Sequence, residues 1–213
     1  MKAPIQELMD EHSLIVRMLR VLREMGSKLL SGKSPDPADH LDAALDFIAT
    51  FADHSHHGKE EDHLFPAMER AGFPRESGPV GVMLMEHRQG REFVGALRLA
   101  ASDLKAGVPA AAGDAARAIA GYVDLLEHHI HKENNILYPM AMSALPEEAW
   151  ANLAESFARI EEERLGPAKR AAYEALVARL EVAYPAAAPV GEERLALGSK
   201  LRQGPETGIM PCR

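Results

Sequence analysis

His56-His57-Gly58-Lys59-Glu60-Glu61-Asp62-His63-Leu64-Phe65-Pro66 and His129-Ile130-His131-Lys132-Glu133-Asn134-Asn135-Ile136-Leu137-Tyr138-Pro139 are two versions of one segment. Shifted by 73 residues, they match at His, Lys, Glu, Leu, an aromatic residue and Pro. Each follows a Glu-His pair, Glu11-His12 before the first copy and Glu86-His87 before the second, and these pairs lie 75 residues apart. A unit that carries one His and then His-x-x-x-Glu therefore occurs twice, and this duplication decides the fold.

The hydrophobic period makes both units helical hairpins. Ile5, Leu8, Met9, His12, Ile15, Val16, Leu19, Leu22 and Met25 recur at steps of three and four, as one buried helical stripe requires. Pro4 suits the first turn of this helix and Gly26 lies near its end. The loop SGKSPDP follows, with Asp36 as N-cap and Pro37 at the first position of a second helix that runs to about Arg70, with Pro66 set to bend it. AGFPRESGP breaks the pattern before a third helix over about Pro79 to Lys105, and AGVPAAAGD precedes a fourth over about Ala115 to Met142. Four long helices joined by such loops predict an all-α, antiparallel up-down four-helix bundle over residues 1–145. Two further helices, Pro146 to Leu165 and Pro167 to Ala183, separated by Gly166-Pro167, form an extension over 146–183 expected to pack on the bundle. Residues 184–213, polar and broken by Gly and Pro, read as an irregular tail.

The spacing inside the repeat carries chemistry. Residues four apart on a helix share a face, about 6 Å from each other, so His56 and Glu60 can approach one metal ion or one pair, as can His129 and Glu133. Two antiparallel hairpins bring His12, His56, His87 and His129 with Glu60 and Glu133 toward the bundle axis, where carboxylates can bridge two cations and imidazoles can cap each. Imidazole and carboxylate together suit iron or manganese, and imidazole also accepts zinc. A single histidine on an apolar face is usually a core residue, and one His-x-x-x-Glu arises readily by chance; the matched constellation is what points to a metal. His54, His57, His63, His128 and His131 flank the ligand face and read as supporting or surface groups. Only His56 and His129 keep both the four-residue step to Glu and the same distance to the aromatic-Pro pair. Phe65, Met68 and Tyr138 read as core that keeps the pocket dry, and Trp150 as a packing anchor for the fifth helix.

Composition narrows the alternatives. Hydrophobic residues make up 46% of the chain but aromatics only 5%, which favours helices over a sandwich or barrel. A net charge of -8 argues against nucleic acid as a partner, because phosphate is held by clustered Lys and Arg. The segment MKAPIQELMDEHSLIVRMLRVL has scattered charges and no apolar run of signal or membrane-spanning length, so the expected location is cytoplasmic, with no membrane partner. Cys212 stands alone, which rules out an internal disulfide or a thiolate cluster and leaves N and O ligands for any metal. Nothing resembles the His-Glu-x-x-His of a zinc hydrolase.

Glu-His, HHGKEEDHLFP, Glu-His again and HHIHKENNILYP resemble the hemerythrin-like, HHE cation-binding family over about residues 5 to 142. The resemblance implies a four-helix bundle around two iron ions with an oxo or hydroxo bridge, His12 and His56 serving one iron, His87 and His129 the other, and Glu60 and Glu133 bridging. One position departs from the oxygen-carrying members, which use a further His one turn after the third-helix ligand; here it is Arg91. That leaves six recognisable ligands and either an open position or a substitute, for which Glu162 or Glu163 is the candidate. The resemblance therefore implies a stress or sensing role, binding or processing O2, NO or peroxide or handling iron, with a redox partner or a second copy of the chain as company, rather than bulk oxygen carriage. The competing reading is a non-catalytic metal-binding module, regulatory or structural, whose metal orders the bundle for a partner.

Overall fold

A computed structural model of the protein describes residues 1–186; nearly all of the expected tail, with Cys212, lies outside the described residues. The described chain forms six helices: α1 (Ala3–Leu30), α2 (37–70), α3 (Gly78–Lys105), α4 (111–144), α5 (147–165) and α6 (Pro167–Ala183). There is no strand among the described residues. The first four pack as the bundle, α4 lying against both α1 and α3, with α2 beside α3 and α1. α5 and α6 cover the side formed by α1 and α2. Among the described residues no helix is long and apolar enough to cross a membrane.

Proline and glycine place the boundaries for physical reasons. Pro4, Pro37, Pro79 and Pro167 sit in first turns, where the missing N–H has no intrahelical partner to lose. Gly166 separates α5 from α6 at φ 72° and ψ 156°, a conformation that side chains resist. Asp36 differs from expectation: it precedes α2 in the left-handed region, φ 38°, and its side chain caps nothing. At the far end of the described chain Tyr184 is buried, its hydroxyl donating to Pro35 O at 3.0 Å and lying 2.9 Å from Ser34 Oγ.

Ahead of Pro66, the proline expected to bend α2, the helix widens. Over Glu60–Leu64 the backbone adopts i→i+5 hydrogen bonding, with Phe65 N–H donating to Glu60 O. Over Glu133–Leu137 Tyr138 N–H donates to Glu133 O, and over Glu161–Leu165 Gly166 N–H donates to Glu161 O. Each stretch begins at a Glu and ends two residues before a Pro, namely Pro66, Pro139 and Pro167. A proline has no N–H for the carbonyl four residues back and its ring crowds that carbonyl, so the turn before it opens. A wider stretch also runs over Ile48–His57.

The widening has a packing consequence. Ile48, Ala52, His56, Glu60, Leu64 and Met68 are all buried at steps of four. In a regular helix each such step drifts by about 40°, so five steps in succession could not keep six residues on one face. Wider turns take more residues per revolution and hold the row inward. His129, Glu133, Leu137 and Ala141 form the same kind of row in α4.

The core has two apolar clusters with a polar layer between them. One collects Ile5, Leu8, Phe65, Met68, Val80, Met83, Tyr138, Trp150 and Phe157; the other collects Ile15, Leu19, Leu22, Phe47, Phe51, Leu97, Ile119, Tyr122, Val177 and Leu180. His12, His56, Glu60, His87, His129 and Glu133 lie in sequence where each helix passes from one cluster to the other. Close packing also constrains the α3 entry: a Cβ on Gly81 would stand 2.7 Å from the Glu76 carbonyl carbon. Gly81→Ala, which in an open helix gains up to about 1 kcal/mol from propensity, is expected here to destabilise by about 1–3 kcal/mol, because backbone must move. A denaturant midpoint at or above wild type would contradict this.

Candidate metal centre

All six predicted residues are buried and converge. Glu133 Oε2 is 3.1 Å from His12 Nε2, and its Oε1 is 3.0 Å from His129 Nε2 and 3.9 Å from His87 Nε2. Glu60 Oε2 is 3.5 Å from His87 Nε2 and 3.9 Å from His56 Nε2. Each carboxylate thus faces imidazoles of both hairpins. Donor atoms fall into two close groups, His12 with His56 and Glu133, and His57 with Glu60, His87 and His129, each within 4.8 Å. Glu60 Oε2 and both Glu133 oxygens find no hydrogen-bond partner among the described residues.

The duplication extends to the groups behind the imidazoles. Within each hairpin the Glu of the Glu-His pair holds the histidine of the next helix: Glu11 Oε2 accepts from His56 Nδ1 at 2.9 Å, and Glu86 Oε2 from His129 Nδ1 at 2.9 Å. The repeat lysines serve those same carboxylates, Lys59 with Glu11 and Lys132 with Glu86. Between hairpins, the residue after each inward Glu holds the opposite histidine. Glu61 Oε1 accepts from His87 Nδ1 at 2.7 Å, and Asn134 Oδ1 from His12 Nδ1 at 2.8 Å. The aromatics follow the rule too: Phe65 stacks on His87 at 5.8 Å, and Tyr138 on His12 at 5.7 Å. With Nδ1 donating in each case, the Nε2 lone pairs are left for the centre.

Charge in this layer is strongly perturbed. Burial pushes Glu60 well above the usual carboxylate range, and the neighbouring Glu133 pushes it further. Burial opposes the charge on Glu133 as well, but His129, His12 and His87 outweigh it and hold that carboxyl well down. Burial also opposes a charged His129, yet Glu133 and Glu86 raise the imidazole to about 9. Burial takes His56 down to about 4, against the pull of Glu11. Burial and the facing charges thus drive the two neighbouring carboxyls apart, Glu60 toward its neutral form and Glu133 toward its charged one.

Several participants are not visible in the spacing. His57, expected to be a flanking group, is 6% exposed and stacks on His87 with ring centroids 3.8 Å apart. Tyr138, expected as core, donates its hydroxyl to Glu60 Oε1 at 2.7 Å. Lys59, fully buried, ties Glu11 to Glu7 and to Glu161 of α5, while Arg170 of α6 donates to Glu11 and Glu161. Glu162 and Glu163 do not reach the centre: both are exposed, and Glu161 is the acidic residue of that run that turns inward. His54, His128 and His131 are exposed and His63 half-buried. A cleft of about 240 Å³ between α2, α3 and α4 leads to His57, His87 and His129, with Ile48, Val94, Tyr122 and Leu126 among its walls and Arg91 and Arg98 along it.

The family model for the hemerythrin HHE cation-binding domain matches residues 3–141. The chain belongs to this family. It is 29% identical over 164 residues to an uncharacterised protein of Mycobacterium tuberculosis, covering 76% of this chain and 63% of that one. It is 32% identical over 146 residues to the iron-sulfur cluster repair protein YtfE of Musicola paradisiaca, covering 65% and 62% respectively. A shorter match, 36% over 92 residues, relates it to the protein of the same name from Edwardsiella ictaluri, over 41% of each chain. The chain thus spans less than two thirds of the length of these relatives. No solved structure matches it.

Proposed function

We propose that this hemerythrin HHE domain is a non-haem di-iron protein that binds O2, NO or peroxide and processes it as part of the cell's handling of iron under stress. The observation that carries the reading is the pair of buried carboxylates whose unpartnered oxygens face imidazoles from both hairpins. An unsatisfied buried acceptor costs roughly 1–3 kcal/mol, more when charged, and a cation between the two removes that cost. His12, His56 and Glu133 would hold one ion and Glu60, His87 and His129 the other, with the two carboxylates shared. The N and O donors suit iron or manganese and tolerate zinc. Iron is favoured because relatives are named for iron-sulfur cluster repair.

When bound, the iron pair supplies a Lewis-acidic, redox-active centre. The chain supplies the rest. Its two apolar clusters keep bulk water out on either side. The cleft between α2, α3 and α4 gives a small ligand a path to His57, His87 and His129. Tyr138 keeps a hydroxyl proton 2.7 Å from Glu60, on the side of the layer lined by His12. A cytoplasmic setting, and a redox partner to exchange electrons, belong to the same proposal.

Purified chain is expected to carry about two iron ions. It should show near-ultraviolet charge-transfer absorption that shifts with azide, NO or peroxide. Absorption indifferent to all three would overturn ligand handling and leave a metal that only orders the bundle. One zinc ion per chain, unaffected by Glu60→Ala, would overturn the shared pair.

A further inference from the structure

We propose that His57 is a seventh metal-binding residue of this centre, positioned from the protein surface by Arg91 acting through Asp53. The inference rests on the di-iron reading and adds a ligand that the His-x-x-x-Glu pattern does not contain. A ring nitrogen of His57 lies within 4.8 Å of donor atoms of Glu60, His87 and His129. Its ring stacks on His87 with planes 16° apart and meets His129 edge-on at 5.8 Å. Asp53 Oδ1 is 3.3 Å from His57 Nδ1, the same arrangement of an acceptor behind Nδ1 that holds the other four imidazoles. A carboxylate there fixes the tautomer and leaves the Nε2 lone pair for a cation.

Arg91 stands one turn beyond His87, where the resemblance implies a histidine. Its guanidinium clamps Asp53, with Nε 2.9 Å from Oδ1 and Nη2 2.6 Å from the same oxygen, and also donates to Glu61 Oε1 at 2.8 Å. Asp53 holds His57 and Glu61 holds His87, so one arginine orients two imidazoles on the same side of the centre. With His57 included, three imidazoles serve one ion and two serve the other. The position at 91 is then occupied by support for a substitute ligand supplied from α2.

The duplication gives an internal control. At the shifts that superpose every other part of the two hairpins, Asp53 corresponds to Leu126, His57 to Ile130 and Arg91 to Val16. Leu126 and Ile130 are buried in the apolar core, with Val16 packed against it. Among the paired positions around the centre, this connected trio is polar in one half and apolar in the other. A supporting role common to both halves would not produce that difference; an extra ligand for one ion does.

The test uses iron-loaded full chain, His57→Ala and the milder His57→Gln, the positioning variants Asp53→Asn and Arg91→Ala, and His54→Ala as an exposed control. Iron per chain is titrated against a chelator, and Mössbauer spectra distinguish the two ions. Folding of each metal-free variant is checked by far-ultraviolet circular dichroism. In both His57 variants one iron is expected to be lost or held at least about 10–100-fold more weakly, with the spectrum of that ion alone altered. Asp53→Asn and Arg91→Ala should shift the same ion by about 10-fold, and His54→Ala should shift neither. Two irons held with unchanged competition and an unchanged spectrum in folded His57→Gln would overturn the assignment while leaving the iron pair intact. A wild-type chain that takes up no iron pair would overturn both readings.

Discussion

Glu133→Ala is expected to strip both metal ions from the protein, taking iron content from about two per chain to near zero. Glu133 is fully buried and its two oxygens face His12 and His129, one from each hairpin, with His87 within 3.9 Å. Among the described residues it is the carboxylate that faces imidazoles of both α1 and α4, so on the di-iron proposal its removal would take a ligand from each ion at once. In the metal-free form the change relieves the repulsion between Glu133 and Glu60 but also removes the carboxylate that raises the buried His129 imidazole to about 9. Elemental analysis after gel filtration, with thermal melting of the metal-free forms, separates loss of metal from loss of fold. Retention of one tightly held iron would show that the carboxylate is not shared.

The largest change in stability is expected at Lys59. Its side chain is fully buried, 2.6 Å from both Glu7 and Glu11 and 3.2 Å from Glu161. Removing one partner from a buried ion cluster strands the others and typically costs about 3–5 kcal/mol. For a chain of this length Lys59→Ala should lower the melting temperature by about 6–20 °C. Glu11 gives the effect a pH signature. Burial opposes its charge, but His56 and Lys59 together bring it from 4.5 to about 2. A carboxyl lowered on folding stabilises the protein above its unfolded value, and that contribution drains away as pH falls from 4.5 toward about 2. Without Lys59 the folded-state value of Glu11 rises, so this contribution is smaller and is exhausted at a higher pH. A Lys59→Ala protein that melts within about 2 °C of wild type would show that His56 and Arg170 suffice to hold Glu11.

The helices and the six inward residues could be read from the chain because they depend on local rules: a period near four, proline and glycine at the boundaries, and a repeat that singles out one histidine in each cluster. Four of the described helices begin with proline in the first turn, as expected. What could not be read depends on geometry that no local rule encodes. His57 follows His56 directly, and neighbours in a regular helix point about 100° apart; both turn inward in a stretch of widened turns. Lys59 in a run of charged residues reads as a solvated lysine until α5 closes over it. Tyr138 and Phe65 occupy equivalent positions, and only the tyrosine's hydroxyl distinguishes a proton donor from a packing ring. Glu11 and Glu86 were visible as halves of Glu-His pairs, but each serves the histidine of the next helix, a partner more than forty residues away.

The cover that α5 and α6 place over α1 and α2 makes the duplicated halves unequal in time as well as in space. Glu161 and Arg170 brace the wall behind His56, whereas the cleft opens beside His87 and His129. On the di-iron proposal, the two ions would then exchange with their surroundings at different rates. A chelator or competing cation should empty the open side first, so that a half-loaded chain is one defined species, with its retained ion beside His12 and His56, and not a statistical mixture of two.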